Sequence, residues 1–147
     1  MIGSNIILGL NKIGIDEIII VDDLSDGRKF FNISDLKFQD YIDKEEFLNL
    51  IRNDYYFGNV ETIFHQGACS STTEWDGKFL MHNNYEYSKI ILNWSQKINS
   101  QFMFASSASV YGFGKNGFKE NTSCENPINP YAFSKFCFDN YLRKIIF

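Results

Sequence analysis

Apolar positions along the 147-residue chain fall into alternating blocks of helical and continuous character. Ile6, Ile7, Leu10 and Ile13 recur at helical spacing after Gly3-Ser4, and Gly14 stands where a C-terminal glycine cap belongs. Ile18 to Val21 is an uninterrupted apolar run closed by Asp22-Asp23, the pattern of a strand covered on both faces, as in a parallel sheet. ISDLKFQDYID is a weaker, short strand. DKEEFLNLIRN predicts a helix with Asp43 as N-cap and Phe47, Leu48 and Ile51 on one face. NVETIFH predicts a third strand. NNYEYSKIILNWSQKIN predicts a helix with Tyr85, Ile90, Ile91 and Trp94 on its apolar side. QFMFASS is a fourth strand ending at Ser106-Ser107, and NPYAFSKFCFDNYLRKIIF a helix running to the last residue. The stretch from Phe113 to Asn129 reads as a surface loop.

Strands alternating with helices predict an α/β chain of the doubly wound, parallel-sheet class, arranged as one partial dinucleotide-binding (Rossmann-type) domain over residues 1–147. A helix of this class ordinarily follows a buried strand and a glycine turn. The first strand of the sheet is therefore expected upstream of Met1. The flanking strands, Ile18–Val21 and Thr62–Phe64, are then expected either to keep an open inner edge or to pair directly. Ligands of such sheets bind beyond the carboxyl ends of the strands. Polar clusters gather at those ends: Asp22-Asp23, HQGACSSTTEWDG, and Ser106-Ser107.

Composition removes several classes of function. A net charge of -4 lacks the basic face of a nucleic-acid binder. No apolar run approaches the roughly 20 residues of a membrane helix, and the apolar start lacks the basic region and cleavage site of a signal peptide. Cys69, Cys124 and Cys137 are odd in number and show no CxxC spacing, which fits a reducing cytoplasm. His65 and His82 have no ligand-spaced partners, so no metal site is expected. The abundant Phe, Tyr, Ile, Asn and Lys fit an AT-rich genome better than an aromatic cage.

Two constellations carry chemistry. Asp22 lies 19 positions after Gly3, close to the spacing at which a dinucleotide fold places the ribose-binding acid after its glycine turn. Gly3 is then the last glycine of that turn, kept small for close helix–strand packing. A helix cap followed by a solvated turn explains the same two residues. In YAFSK, Tyr131 and Lys135 are four apart and share a helix face. An ammonium beside a phenol favours the phenolate, which can take a proton from a sugar hydroxyl while Ser107 holds that hydroxyl. An i,i+4 Tyr/Lys pair also occurs on exposed helices for no catalytic reason.

The order of these features is more specific than any one of them. Helix-start glycine, acid after a strand, GA turn, strand-end serine and YxxxK together resemble the extended short-chain dehydrogenase/reductase family. More narrowly, GACSSTTEWDGKFLMHNN, ASSASVYG and NPYAFSKFCFDNY resemble the ADP-L-glycero-D-manno-heptose 6-epimerases, from Ile2 to about Tyr141. The SSTTEWDG run is the discriminating stretch. The resemblance implies cofactor contacts at Ile2, Gly3, Asp22, Asp23, Lys29, Lys44, Gln66, Gly67, Ala68, Cys69, Ser70 and Asn83, with Tyr131 and Lys135 also at the cofactor. It implies catalytic roles for Ser107, Tyr131 and Lys135, with Lys135 tuning Tyr131 and holding the nicotinamide ribose. Lys29 (or equally Arg28) beside the acid pair suits a 2′-phosphate, hence NADP, with NAD as the alternative.

The implied reaction is epimerisation of a nucleotide sugar, an ADP-heptose of the lipopolysaccharide core, by transient oxidation at C6. The implied protein is a cytoplasmic homo-oligomer with no nucleic-acid or membrane partner. The family's second acid/base, a lysine, is expected beyond Phe147, as is the substrate domain, so residues 1–147 are expected to be inactive alone. One rival is another nucleotide-sugar 4-epimerase or a dehydratase. Dehydratases need an acid pair after the strand-end hydroxyl, whereas Ala108, Ser109 and Val110 follow here. The other rival is a non-catalytic remnant of a broken gene.

Overall fold

A computed structural model describes residues 2–146; of Ile146 only the backbone is described. The elements run α1 (Ile2–Lys12), β1 (Ile19–Asp22), β2 (Asp40–Asp43), α2 (Lys44–Arg52), β3 (Thr62–His65), α3 (Gly77–Leu80), α4 (Tyr87–Lys97), β4 (Gln101–Phe104) and α5 (Pro130–Ile146). They form two compact units, residues 1–60 and 61–147. Each unit holds one two-stranded parallel sheet, β1 with β2 and β3 with β4. The architecture is α/β and matches a partial Rossmann-like fold.

In the first unit, α1 stops as its sequence requires. Gly14 takes φ +85°, its N–H reaches the Asn11 carbonyl, and the Ile15 N–H reaches back to Leu10, a glycine-capped end that satisfies the last carbonyls. No residue of α1 is buried. A Cβ built at Gly3 meets no atom within 4 Å, so no close packing among the described residues uses its smallness. Parallel pairing places Ile20 opposite Tyr41, and α2 covers the pair. Asp43 caps α2 by accepting from the Glu45 N–H, and Phe47, Leu48 and Ile51 are its buried face, as the spacing predicts.

In the second unit the long helix differs from its expected form. It begins earlier, at α3, with the Asp76 carboxylate capping the Phe79 N–H. A π-helical stretch, Met81–Glu86, then links α3 to α4. Its wider turn shifts the phase of everything that follows. The buried face is therefore Tyr87, Ser88, Ile91, Leu92, Trp94 and Ser95, while Tyr85 and Ile90 are only half-buried. Helix α5 starts at Pro130, with the Asn129 side chain accepting from the Ala132 N–H at 2.7 Å. Phe147 lies outside the described residues. Phe138 of α5 is fully buried and meets Phe104 of β4 edge-on at 4.9 Å between ring centres. This contact ties α5 to the strand whose end carries the serines.

The 113–129 loop is fixed at its base by Gly112. Gly112 has φ +58°, and a Cβ there would stand 2.3 Å from the Asn126 carbonyl oxygen, so only glycine fits. The Asn126 N–H bonds the Val110 carbonyl at 2.8 Å, pinning the loop to the turn after β4.

Candidate active site

The first cluster closes β1. Lys29 Nζ donates to Asp22 Oδ1 at 2.7 Å and also to the Asp23 carbonyl, folding the turn 27–32 back onto the strand end. Lys44 Nζ lies 3.3 Å from Asp23 Oδ2. Hydrogen bonds from the Ser25 hydroxyl and N–H, with Lys44 adding to them, bring the Asp23 carboxyl down to about 2. Two acids and two lysines thus balance. Arg28, interchangeable with Lys29 on sequence grounds, is held by Asp26 in a two-point pair at 2.9 and 2.8 Å. It does not join the cluster. Asp22, Asp23, Lys29 and Lys44 therefore converge, and Ile2 and Gly3 stand at the first turn of α1.

The second cluster lies within residues 61–147. Gln66, Gly67, Ala68, Cys69 and Ser70 form the turn after β3, and a Cβ at Gly67 meets nothing within 4 Å, leaving the backbone approachable. The turn is clamped by Asn84, which is fully buried. Its Oδ1 accepts from the Cys69 N–H at 2.8 Å, and its Nδ2 donates to the Cys69 carbonyl and to Ser134 Oγ. The neighbouring Asn83 instead donates to the Phe79 carbonyl on its own helix. Asn84 is a residue the sequence reading missed. Two adjacent asparagines were visible, but the π-helical phase decides which one faces the turn.

His65, the last residue of β3, is 8% exposed and bonds Ser88 at 2.7 Å. Burial, with the Lys135 charge adding to it, takes its imidazole down to about 4. The folded state thus holds His65 neutral between pH 6.5 and 4 while an unfolded chain protonates it. Its contribution is complete above 6.5 and is lost as pH falls toward 4, by about 3 kcal/mol in all. Urea unfolding across this window is expected to show that loss, and His65→Gln to remove most of it.

At the end of β4 the two serines diverge. Ser106 Oγ donates to Asp139 Oδ2 at 2.6 Å. Ser107 caps the turn 108–111, its Oγ 2.8 Å from Ser109 Oγ. Tyr131 and Lys135 are both buried on α5, which packs against that turn. No hydrogen bond joins Ser107 to Tyr131. Lys135 is 6% exposed, its Nζ is 5.9 Å from the Phe104 ring centre, and no acceptor among the described residues takes a hydrogen bond from it. Burial makes this ammonium easier to deprotonate, while Asp139 opposes the effect. A buried cation with unused donors fits a ligand bearing hydroxyl groups. No group of His, Cys, Asp and Glu suited to a metal occurs among the described residues, and none of their helices is long and apolar enough to cross a membrane.

The chain belongs to the NAD dependent epimerase/dehydratase family, whose model matches residues 1–146. Among solved structures it is similar to the ADP-L-glycero-D-manno-heptose-6-epimerase of Helicobacter pylori, at 26% identity and TM-score 0.81 over 99% of this chain and 48% of that one. It is similar to the UDP-glucose 4-epimerase of Thermotoga maritima, solved with UDP-glucose, at 26% identity and TM-score 0.79 over 98% and 47%. The UDP-Glc/GlcNAc 4-epimerase of Campylobacter jejuni matches at 25% identity and TM-score 0.74 over 87% and 41%. The chain spans about half the length of these structures.

Proposed function

We propose that residues 1–147 are part of the dinucleotide-binding domain of a cytoplasmic, homo-oligomeric, NADP-dependent ADP-glyceromanno-heptose 6-epimerase acting in lipopolysaccharide core synthesis. The observation that carries the chemistry is the buried Tyr131–Lys135 pair, with an unengaged ammonium, on the helix packed against the Ser107 turn. The heptose rests on the resemblance of the GACSSTTEWDG run.

When bound, the nicotinamide dinucleotide supplies a reversible hydride acceptor. Tyr131 Oη takes the proton of the sugar C6 hydroxyl, and Ser107 Oγ holds that oxygen in line. The Lys135 ammonium stabilises the anionic Tyr131 oxygen that accepts this proton and offers its free N–H groups to ribose hydroxyls. Once C6 is a ketone, its other face is presented to the returning hydride. The second acid/base, expected beyond Phe147, returns a proton to oxygen, and the carbon is inverted. The Gly67–Ser70 turn lets backbone approach the dinucleotide, with Asn84 fixing that turn.

The acid pair after β1 takes the adenosine ribose. An unpaired acid there repels a 2′-phosphate, whereas Lys29 neutralises Asp22 and adds a donor, which favours NADP. Lys29→Ala is expected to weaken NADP relative to NAD by about 10–100-fold, the scale of a charge-assisted hydrogen bond. Calorimetric titration of both cofactors checks this, and an unchanged ratio contradicts the assignment.

The reaction itself is tested in a hybrid in which residues 2–146 replace the matching half of the Helicobacter pylori epimerase. Inversion of ADP-heptose at C6 is expected. A matching hybrid with the Thermotoga maritima 4-epimerase is expected to be inactive on UDP-glucose. Activity only in the second hybrid would assign the chain to a 4-epimerase instead.

A further inference from the structure

Helix α5 carries a stripe at four-residue spacing: Tyr131, Lys135, Asp139 and Arg143. The first two belong to the proposed chemistry. Asp139 does not touch them through any hydrogen bond, yet it is 9% exposed and charged. A carboxylate is seldom buried without full compensation. Here Oδ2 accepts from Ser106 at 2.6 Å, while Oδ1 has no hydrogen-bond partner. Arg143, the next cation along the stripe, is committed elsewhere, in a two-point pair with Glu125 at 2.9 Å on both arms. The carboxylate is therefore held without being neutralised by a direct ion pair.

The groups that face it account for its state. Burial raises the carboxyl, while the Ser106 bond, Lys135 and Arg143 pull it down and Glu125 pushes it up. Around Lys135, the acidic group is Asp139, and the imidazole of His65 is neutral. Glu125 is spoken for by Arg143.

We propose that Asp139 is a positioning residue: it fastens the serine end of β4 to α5 through Ser106 and supplies the negative charge that compensates the buried Lys135 ammonium. Through the first link it sets where Ser107, the next residue, sits. Through the second it keeps Lys135 cationic in an apolar setting beside Phe104. Its catalytic value rests on the epimerase reading; the two physical links do not.

The test uses the whole 147-residue chain without cofactor or sugar, with Lys135 titrated by NMR of its labelled side chain. Asp139→Asn keeps the size and an acceptor for Ser106 but removes the charge. It is expected to lower the proton affinity of Lys135 by about tenfold or more, the usual effect of losing a nearby opposite charge. Asp139→Glu is expected to restore the wild-type titration. Ser106→Ala keeps the charge and cuts the tether. It is expected to speed hydrogen exchange at the Val110 amide, which bonds the Ser107 carbonyl at 3.1 Å, by about tenfold or more.

An unmoved lysine titration in folded Asp139→Asn overturns the charge link, and unmoved Val110 exchange in Ser106→Ala overturns the tether. If Asp139→Asn does not fold, Asp139→Ser, which also removes the charge, decides the charge link: a lowered lysine titration supports it and an unmoved one overturns it. In an active hybrid enzyme, Asp139→Asn moves the alkaline limb of the pH–rate profile to lower pH. A limb that stays put overturns the positioning role. An inactive hybrid defeats the epimerase reading alone, since both physical links are read without turnover.

Discussion

Tyr131→Phe lowers turnover of the hybrid epimerase by about 10²–10⁴-fold, the usual range for a positioned acid/base. The substitution removes one oxygen and leaves the ring. Tyr131 is buried in the first turns of α5, so the Phe side chain occupies the same packed volume and folding is conserved. Cofactor affinity is expected to hold as well, because the Lys135 ammonium and the Asn84-clamped turn are untouched. The loss therefore falls on kcat, with little change in KM. A full rate in Tyr131→Phe makes the Tyr–Lys pair structural only. A loss confined to KM makes the phenol a binding group.

Phe138→Ala costs about 3–5 kcal/mol of stability in residues 61–147, the scale of a fully buried phenylalanine cut to alanine. Phe138 has no exposed surface and joins Phe104 at 4.9 Å and Phe102 at 6.4 Å, both edge-on. Removal leaves a cavity bounded by two strand residues that cannot close over it without moving β4. Because domain stabilities lie near 5–15 kcal/mol, a loss of this size takes a large share of the total. Phe138→Leu keeps most of the volume and is expected to cost less than half as much. Urea unfolding followed by the near-ultraviolet signal of the second unit gives both values. A cost below 1 kcal/mol for the alanine variant contradicts the packing described. The same contact bears on chemistry, since it seats α5 on the strand that ends in Ser106 and Ser107.

Much of this was legible in the sequence where the signal is local. The capped helix ending at Gly14, the Asp43 cap and the Phe47, Leu48, Ile51 face follow from spacing alone. So do β1, β3 and β4, as short apolar runs closed by polar residues. The family followed from the order of motifs. What escaped reading depends on backbone register or on residues distant in sequence. The π-helical stretch is a hydrogen-bond slip with no compositional mark, and it moved Tyr85 and Ile90 off the buried face and turned Asn84 toward Cys69. The Ser106–Asp139 bond spans 33 residues, and nothing local marks Asp139 as buried. Arg28 and Lys29 were equivalent on paper. The capping carboxylate of Asp26 separates them by capturing the arginine.

The most direct measurement of the central claim is the fate of the sugar C6 hydrogen when the hybrid enzyme works in deuterium oxide. Oxidation and re-reduction at C6 keep that hydrogen on carbon throughout, with Tyr131 exchanging only the proton on oxygen. The account predicts ADP-heptose inverted at C6 with no deuterium there, and loss of this conversion in Tyr131→Phe. Deuterium at C6 of the inverted product contradicts it, because the carbon would then have lost a proton to solvent.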